Sequence, residues 1–268
     1  MVEINRIYND DCLVKMKEIE DKSIDMVLCD IPYGKTANDW DKIIDITSLW
    51  GHYKRIIKDN GVIVLFGDEP FSSRLRLSNE KMYRYDWKWR KSYSTGFLNA
   101  NKMPLKANED IMVFYKKLPT YNPQRRYGFK NYKKPGNAPS SNYGTFKRVN
   151  NIVVKDGGRY PINHIEGVGK VNRGIHPTQK PVKLMEYLIK TYTNEGDLVL
   201  DNCIGSGTTA VACVNLNRNF IGIEKDEGYY QKACSRVDEA KRNRINQISL
   251  LSDEPDGGGL NNDDTRIN

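Results

Sequence analysis

The chain has 268 residues, 38% of them hydrophobic, which suits one large α/β domain or such a domain carrying an insertion. No apolar run approaches the roughly 20 residues a membrane-spanning helix needs, and the N-terminal "MVEINRIYNDD" has acids but no apolar signal core, so a cytoplasmic protein without a membrane partner is expected. Five scattered cysteines, none in a C-x-x-C pair, and only three histidines argue against a disulfide framework and against a metal centre.

The formal charge of +8 is unevenly spread. Residues 88–160 hold 16 lysines and arginines against three acids, Glu109, Asp110 and Asp156, so this segment carries the basic character of the whole chain. Tyr93, Tyr121, Tyr127, Tyr132 and Tyr143 are interleaved with the charges. Cations mixed with aromatic rings are the composition of a polyanion-binding surface.

In chain order, residues 4–9 predict a short strand and "CLVKMKEI" a helix with Leu13, Val14, Met16 and Ile19 as its apolar positions. "SIDMVLCD" is a buried strand ending at Asp30, after which "IPYG" opens a loop. Residues 41–57 predict a helix, "GVIVLFG" (61–67) a buried strand, residues 71–79 a short helix, and "EDIMVFYKK" a further strand. From about 118 to 160 periodicity fails in a stretch rich in Pro, Gly, Asn, Tyr and Lys/Arg, the composition of a binding loop or small subdomain. Pro177 and Pro181 then frame a helix with Leu184, Met185, Leu188 and Ile189 on one face. "DLVLDNC" is a buried strand, "GTTAVACVNL" a helix, "NFIGIEKD" a strand and residues 226–243 a last helix. The polar, Gly-rich end of the chain is expected to be disordered. Strands alternating with helices predict a doubly wound, Rossmann-like α/β fold with a mostly parallel sheet.

Two strand ends carry chemistry. In "LVLDNCIGSGTT" a strand runs through Gly205 and Gly207 into a helix, the context in which a backbone closely approaches a ligand. Glu224 ends the next strand, 23 residues after Asp201, where an acid can take both ribose hydroxyls of a nucleoside cofactor. No lysine follows the second glycine, so this is not a phosphate-cradling loop. An acid at Asp201 would repel a pyrophosphate and suits a cationic cofactor such as S-adenosylmethionine. At the other strand end, Asp30 and the Ile31 carbonyl form a pair of acceptors, stiffened by Pro32, with Tyr33 as an aromatic face.

Together these motifs resemble the amino-group DNA methyltransferases of the permuted, beta-type motif order. The catalytic motif of that family is matched by Asp30-Ile31-Pro32-Tyr33, its cofactor loop by "DNCIGSGTT", and the motif leading into its cofactor half by "HPTQKP" (176–181). Two departures stand out: Asn202-Cys203 replaces the usual Pro-Phe of the cofactor loop, and Ile31 replaces a more common Pro. The resemblance implies a catalytic half over 1–117, a target-recognition insertion over 118–165, a cofactor half over 166–245 and a tail over 246–268. It implies N6 methylation of adenine in double-stranded DNA with S-adenosylmethionine as donor, by direct transfer to a flipped base, as in restriction-modification enzymes. Cytosine-N4 methylation, and RNA adenine or protein glutamine N-methylation, stand as alternatives. A homodimer fits the resemblance, and a restriction endonuclease partner leaves no mark in the chain.

By the same resemblance Asp30, Ile31, Pro32 and Tyr33 are the catalytic set. The cofactor set is Asp11, Cys12, Thr178, Lys180, Asp201, Asn202, Cys203, Gly205, Ser206, Gly207, Thr208, Thr209 and Glu224. Asp11 also fits the N-cap of the helix beginning at Cys12. Cys29, beside the catalytic motif, reads as core, and no cysteine has the preceding proline of a C5-cytosine nucleophile.

Overall fold

The structure is a computed structural model, and it describes residues 2–34, 43–134, 152–169 and 179–252. In chain order its elements are β1 (Arg6–Asn9), α1 (Cys12–Lys15), β2 (Ile24–Cys29), α2 (Ile46–Ile56), β3 (Ile57–Gly67), α3 (Phe71–Ser78), β4 (Tyr83–Thr95) and β5 (Lys106–Tyr115). They continue as β6 (Tyr132–Lys134), β7 (Ile152–Val154), β8 (His164–Ile165), α4 (Val182–Tyr192), β9 (Leu198–Asp201), α5 (Thr208–Leu216), β10 (Asn219–Glu224) and α6 (Glu227–Ser252). Eight strands form one sheet in the order β1-β10-β9-β2-β3-β5-β4-β8. From β1 to β3 every pairing is parallel, and only β5 runs against its neighbours.

Strand alternation divides the core into two layers. Met26, Leu28, Val62 and Val64 face the layer built by α4, α5 and α6. Their neighbours Val27, Cys29, Ile63 and Leu65 face the layer containing Leu49, Trp50 and Tyr53 of α2 and Phe71 and Leu75 of α3. Both faces of β2 and β3 are therefore covered, which is why these strands read as unbroken apolar runs. Cys29 is fully buried in the second layer, as its place in the alternation requires.

Several boundaries differ from the sequence reading. No strand was expected over residues 83–95, yet β4 is the longest strand of the sheet. Its sequence "YRYDWKWRKSYST" alternates charged residues with the buried Trp87 and Trp89, and only the short β8 lies beyond it. Near an exposed edge, one polar face costs little, and the apolar run that marks a buried strand is missing. The helix expected over 41–57 begins at Ile46, capped by Asp45, whose carboxylate accepts the amides of Thr47 and Ser48. The last helix runs on to Ser252, past the expected end at 243 and into the segment assigned to the tail, whose remainder lies outside the described residues.

Within residues 118–165, β6 and β7 pair antiparallel in a small separate sheet, and Arg126 and Arg159 form an isolated antiparallel bridge. Among the described residues no helix is long and apolar enough to cross a membrane.

The two halves of the chain are joined in the core at Tyr192. Its hydroxyl, on α4, takes the indole N–H of Trp87 at 2.7 Å and lies 2.8 Å from the hydroxyl of Tyr85, both on β4. Tyr192→Phe would strand the buried Trp87 donor, so unfolding in urea should show a loss of about 1–3 kcal/mol with an unchanged slope.

Candidate active site

The parallel strands β1, β2, β9 and β10 all end at one edge of the sheet, at Asn9, Cys29, Asp201 and Glu224. Ligands of open α/β sheets bind at such an edge. Here it opens into a cavity of about 720 Å³ that reaches from the catalytic-motif residues to Glu224.

The glycine loop shapes the cofactor end of this cavity. Gly205, at φ +54°, turns its N–H onto Glu224 Oε2 at 2.8 Å, and the Asp226 N–H reaches Oε1 at 2.9 Å. The Glu224 carboxylate is thus held at the mouth of β10, where burial raises its pKa. Asp201, 4% exposed, accepts the Thr209 hydroxyl at 2.5 Å and the Cys203 amide at 3.2 Å, and burial pushes its carboxyl up to about 7. Asn202 accepts the hydroxyl of the buried Tyr53 at 2.6 Å. Thr208 also lines the cavity, and Ser206 donates to Gln179 at 3.2 Å. Arg236 on α6, which the sequence did not single out, donates to both the carbonyl and the hydroxyl of Ser206.

Cys203 stands where an apolar ring was expected. Its thiol lies beside those of Cys12 and Cys29, which together with burial push its pKa up, so three small side chains from three segments meet there. Cys12 and Cys203 both border the cavity. Asp11 serves two purposes: its Oδ1 caps α1 through the Leu13 amide at 2.9 Å, and its Oδ2 meets Lys225 at 3.1 Å beside Glu224.

Gly207 needs a different explanation from the one its motif implies. It does not line the cavity. At φ +83° it caps α5, and a Cβ there would lie 3.0 Å from Cα of Ala233 on α6. The second glycine therefore allows two helices to approach, and the first shapes the ligand loop. Thr178 and His176 lie outside the described residues.

At the other end of the cavity, Asp30 leaves β2 with its side chain 23% exposed and its Oδ2 2.7 Å from the Lys180 ammonium. Ile31 is buried, which locks the backbone that presents its carbonyl, and Pro32 follows. Tyr33 stacks one face on Phe71, with ring centroids 5.4 Å apart, and also borders the cavity. Burial, then the Asp30 charge, raise its phenol. Lys180 was expected among the cofactor residues. It does border the cavity, but its ammonium is shared between Asp30 and Glu109 Oε1, each at 2.7 Å, above the ring of Phe66. Lys180 is buried, and the two carboxylates outweigh that burial to hold its pKa well above the ordinary lysine value. Glu109 is buried as well and was missed, because nothing local to "KANEDIMV" says which of its two acids faces the site.

Comparison with known proteins agrees with this geometry. The N6/N4 family model described as DNA methylase matches residues 24–235. This chain belongs to that family. It is 30% identical to the Type II methyltransferase M.HpaI of Haemophilus parainfluenzae over 87% of this chain and 74% of the relative. It is 25% identical to the DNA adenine methyltransferase YhdJ of Escherichia coli K12, over 95% of this chain and 90% of the relative. Among solved structures, M1.HpyAVI in complex with S-adenosylmethionine aligns with a TM-score of 0.59 at 25% identity, covering 87% of this chain and 98% of that one. The cytosine-N4-specific PvuII methyltransferase has the same fold, with a TM-score of 0.63 at 16% identity, over 92% and 94%.

The Gly207 contact makes a prediction separable from ligand binding. Gly207→Ala should lower stability by about 1–3 kcal/mol through its positive φ and the Ala233 contact. In a double-mutant cycle followed by urea unfolding, Ala233→Gly should recover part of that loss.

Proposed function

We propose that this DNA methylase transfers a methyl group from S-adenosylmethionine to the N6 amino group of adenine in double-stranded DNA, acting on a base turned out of the helix. The observation that carries the reading is a carboxylate, Asp30, placed beside the Ile31 carbonyl at one end of a cavity whose other end is the Glu224 carboxylate.

The chain's residues fit the cofactor. Glu224 is a two-oxygen acceptor already aimed by two backbone amides, as a ribose diol needs. The acid-rich wall of Asp11, Asp201 and Asp30 suits a cation rather than a pyrophosphate. A volume near 720 Å³ lies within the range of small-molecule sites. When bound, the cofactor supplies an electrophilic methyl on a sulfonium.

An exocyclic amine conjugated to its ring is a poor nucleophile. The Asp30 carboxylate and the Ile31 carbonyl can accept its two N–H groups, which draws the lone pair out of conjugation and stabilises the positive charge developing on nitrogen. The Lys180 ammonium 2.7 Å away favours the ionised form of this acceptor. Asp30, Ile31, Pro32 and Tyr33 line a cavity, which a base paired within a duplex does not enter, and this supports extrusion of the base. The basic insertion over 118–165 is the natural DNA surface. Arg125 lies over Tyr127 and Arg159 over Tyr132, at 5.6 and 4.2 Å from the ring centroids, so cations and aromatic faces are presented together.

Two outcomes test the site. Asp30→Ala should reduce incorporation of labelled methyl into DNA by about 100-fold or more, while calorimetry finds cofactor affinity within about threefold of the parent chain. Loss of cofactor binding in parallel would contradict the assigned role. Asp201 keeps its proton up to about pH 7, and a cation alongside favours its ionised form. Cofactor affinity should therefore strengthen as pH rises through neutrality, with proton release on binding, and Asp201→Asn should flatten that dependence.

A further inference from the structure

Glu109 and Asp110 are adjacent on β5, so their side chains leave opposite faces of the sheet. Asp110 pairs with Arg76 at 2.7 Å and Lys88 at 2.6 Å, well away from the cavity. Glu109 turns toward the site, where one oxygen meets Lys180 at 2.7 Å and the other lies 3.9 Å from Lys91 of β4. It does not line the cavity itself, and its direct contact with a residue that does is the one to Lys180, although its charge is also felt at Tyr33.

We propose that Glu109 is a positioning residue of methyl transfer: by sharing the Lys180 ammonium with Asp30, it keeps that lysine charged and in place and leaves the Asp30 carboxylate able to accept the substrate amine. This inference rests on the reading of Asp30 as the acceptor.

The physical reason is competition for one buried cation. A lysine paired to a single buried carboxylate binds it tightly, because neither group has water to fall back on. An amine arriving at Asp30 would then have to displace that contact. Here the ammonium donates a hydrogen bond to Asp30 and forms a second ion pair with Glu109, so its charge is shared between two carboxylates. A second anion also offsets the burial that would otherwise drive the proton off Lys180. The charged and titratable groups facing Lys180 are Asp30 from the end of β2, Glu109 from β5 and Tyr33 from the catalytic loop, together with the like charge of Lys91, which lies 3.9 Å from the other Glu109 oxygen. Lys91 is in turn influenced by Asp68 and Lys106.

Removing the Glu109 charge has a signed consequence. Lys180 keeps one of its two carboxylates and all of its burial, so its pKa falls and an alkaline loss of activity enters the accessible pH range. Asp30, left alone with the cation, becomes a weaker acceptor wherever Lys180 is still charged. A role confined to holding β5 in the sheet would lower the melting temperature without moving the pH profile.

The test is steady-state kinetics on DNA between pH 6 and 10 for the full chain and for Glu109→Gln, Glu109→Asp and Asp110→Asn, each with its melting temperature. Glu109→Gln should lower kcat by about 10- to 100-fold, with KM for DNA and cofactor within about threefold. Its alkaline limb should lie at lower pH than that of the parent chain. Glu109→Asp, which keeps the charge on a shorter side chain, should recover much of kcat and place its limb between the two. Asp110→Asn should lower the melting temperature and leave the limb where it is. The inference is overturned if Glu109→Gln keeps full kcat, or loses it with an unmoved limb. If the Gln variant does not fold, the Asp variant decides, and a profile identical to that of the parent chain overturns the inference. Asp30→Ala, assayed in parallel, separates the two levels. An active Asp30→Ala refutes the acceptor reading itself, whereas an inactive Asp30→Ala beside a fully active Glu109→Gln refutes only the role of Glu109.

Discussion

The ammonium of Lys180 lies 2.7 Å from both Asp30 and Glu109, and the three residues come from three distant segments of the chain. Lys180 directly precedes Pro181, the residue that caps α4; Asp30 ends β2; and Glu109 sits within β5. A buried lysine is tolerated only where anions hold it. The position of this cation therefore requires the cofactor half, the central strand and the antiparallel strand to come together as they do. The same contact favours the ionised form of Asp30, the form in which the proposed acceptor works.

The remainder of the cavity follows from the parallel sheet. Strands running in one direction bring Asp30, Asp201 and Glu224 to a common edge although they are far apart in sequence, and the crossover helices close the faces behind them. Each acid is then given a different environment. Asp30 faces a lysine; Glu224 is aimed by the amides of Gly205 and Asp226; Asp201 is buried against a threonine hydroxyl and keeps its proton to about pH 7. Three carboxyl groups of similar intrinsic acidity thereby acquire separate environments, which match the separate duties proposed for them: accepting an amine, holding a diol and balancing a cation.

Most of this frame was legible in the sequence, because buried parallel strands are continuous apolar runs and each ends on a polar residue. The strand ends at Asp30, Asp201 and Glu224 were readable for that reason. β4 was not, since Trp87 and Trp89 alternate with charged residues on a strand near the sheet edge. Glu109 was hidden more deeply: which of two adjacent acids faces the site depends on strand register, and register is set by partners distant in the chain. Lys180 borders the cavity, but its partners are long-range contacts with no local signature. At Gly207 the G-x-G spacing does not reveal a second physical need, the close approach of Ala233, beside the turn toward a ligand.

The central claim is that Asp30 and the Ile31 carbonyl receive the target amine while Glu109 retains Lys180. A crystal structure of the chain with a cofactor analogue and a DNA duplex containing its methylation site tests this most directly. Adenine N6 is expected within hydrogen-bond distance of an Asp30 oxygen and of the Ile31 carbonyl, in a base withdrawn from the duplex, with the Lys180 ammonium still on Glu109. A cytosine amine in that place would contradict the adenine assignment. A target base remote from Asp30, with Lys180 turned away from Glu109 to a DNA phosphate, would contradict the mechanism.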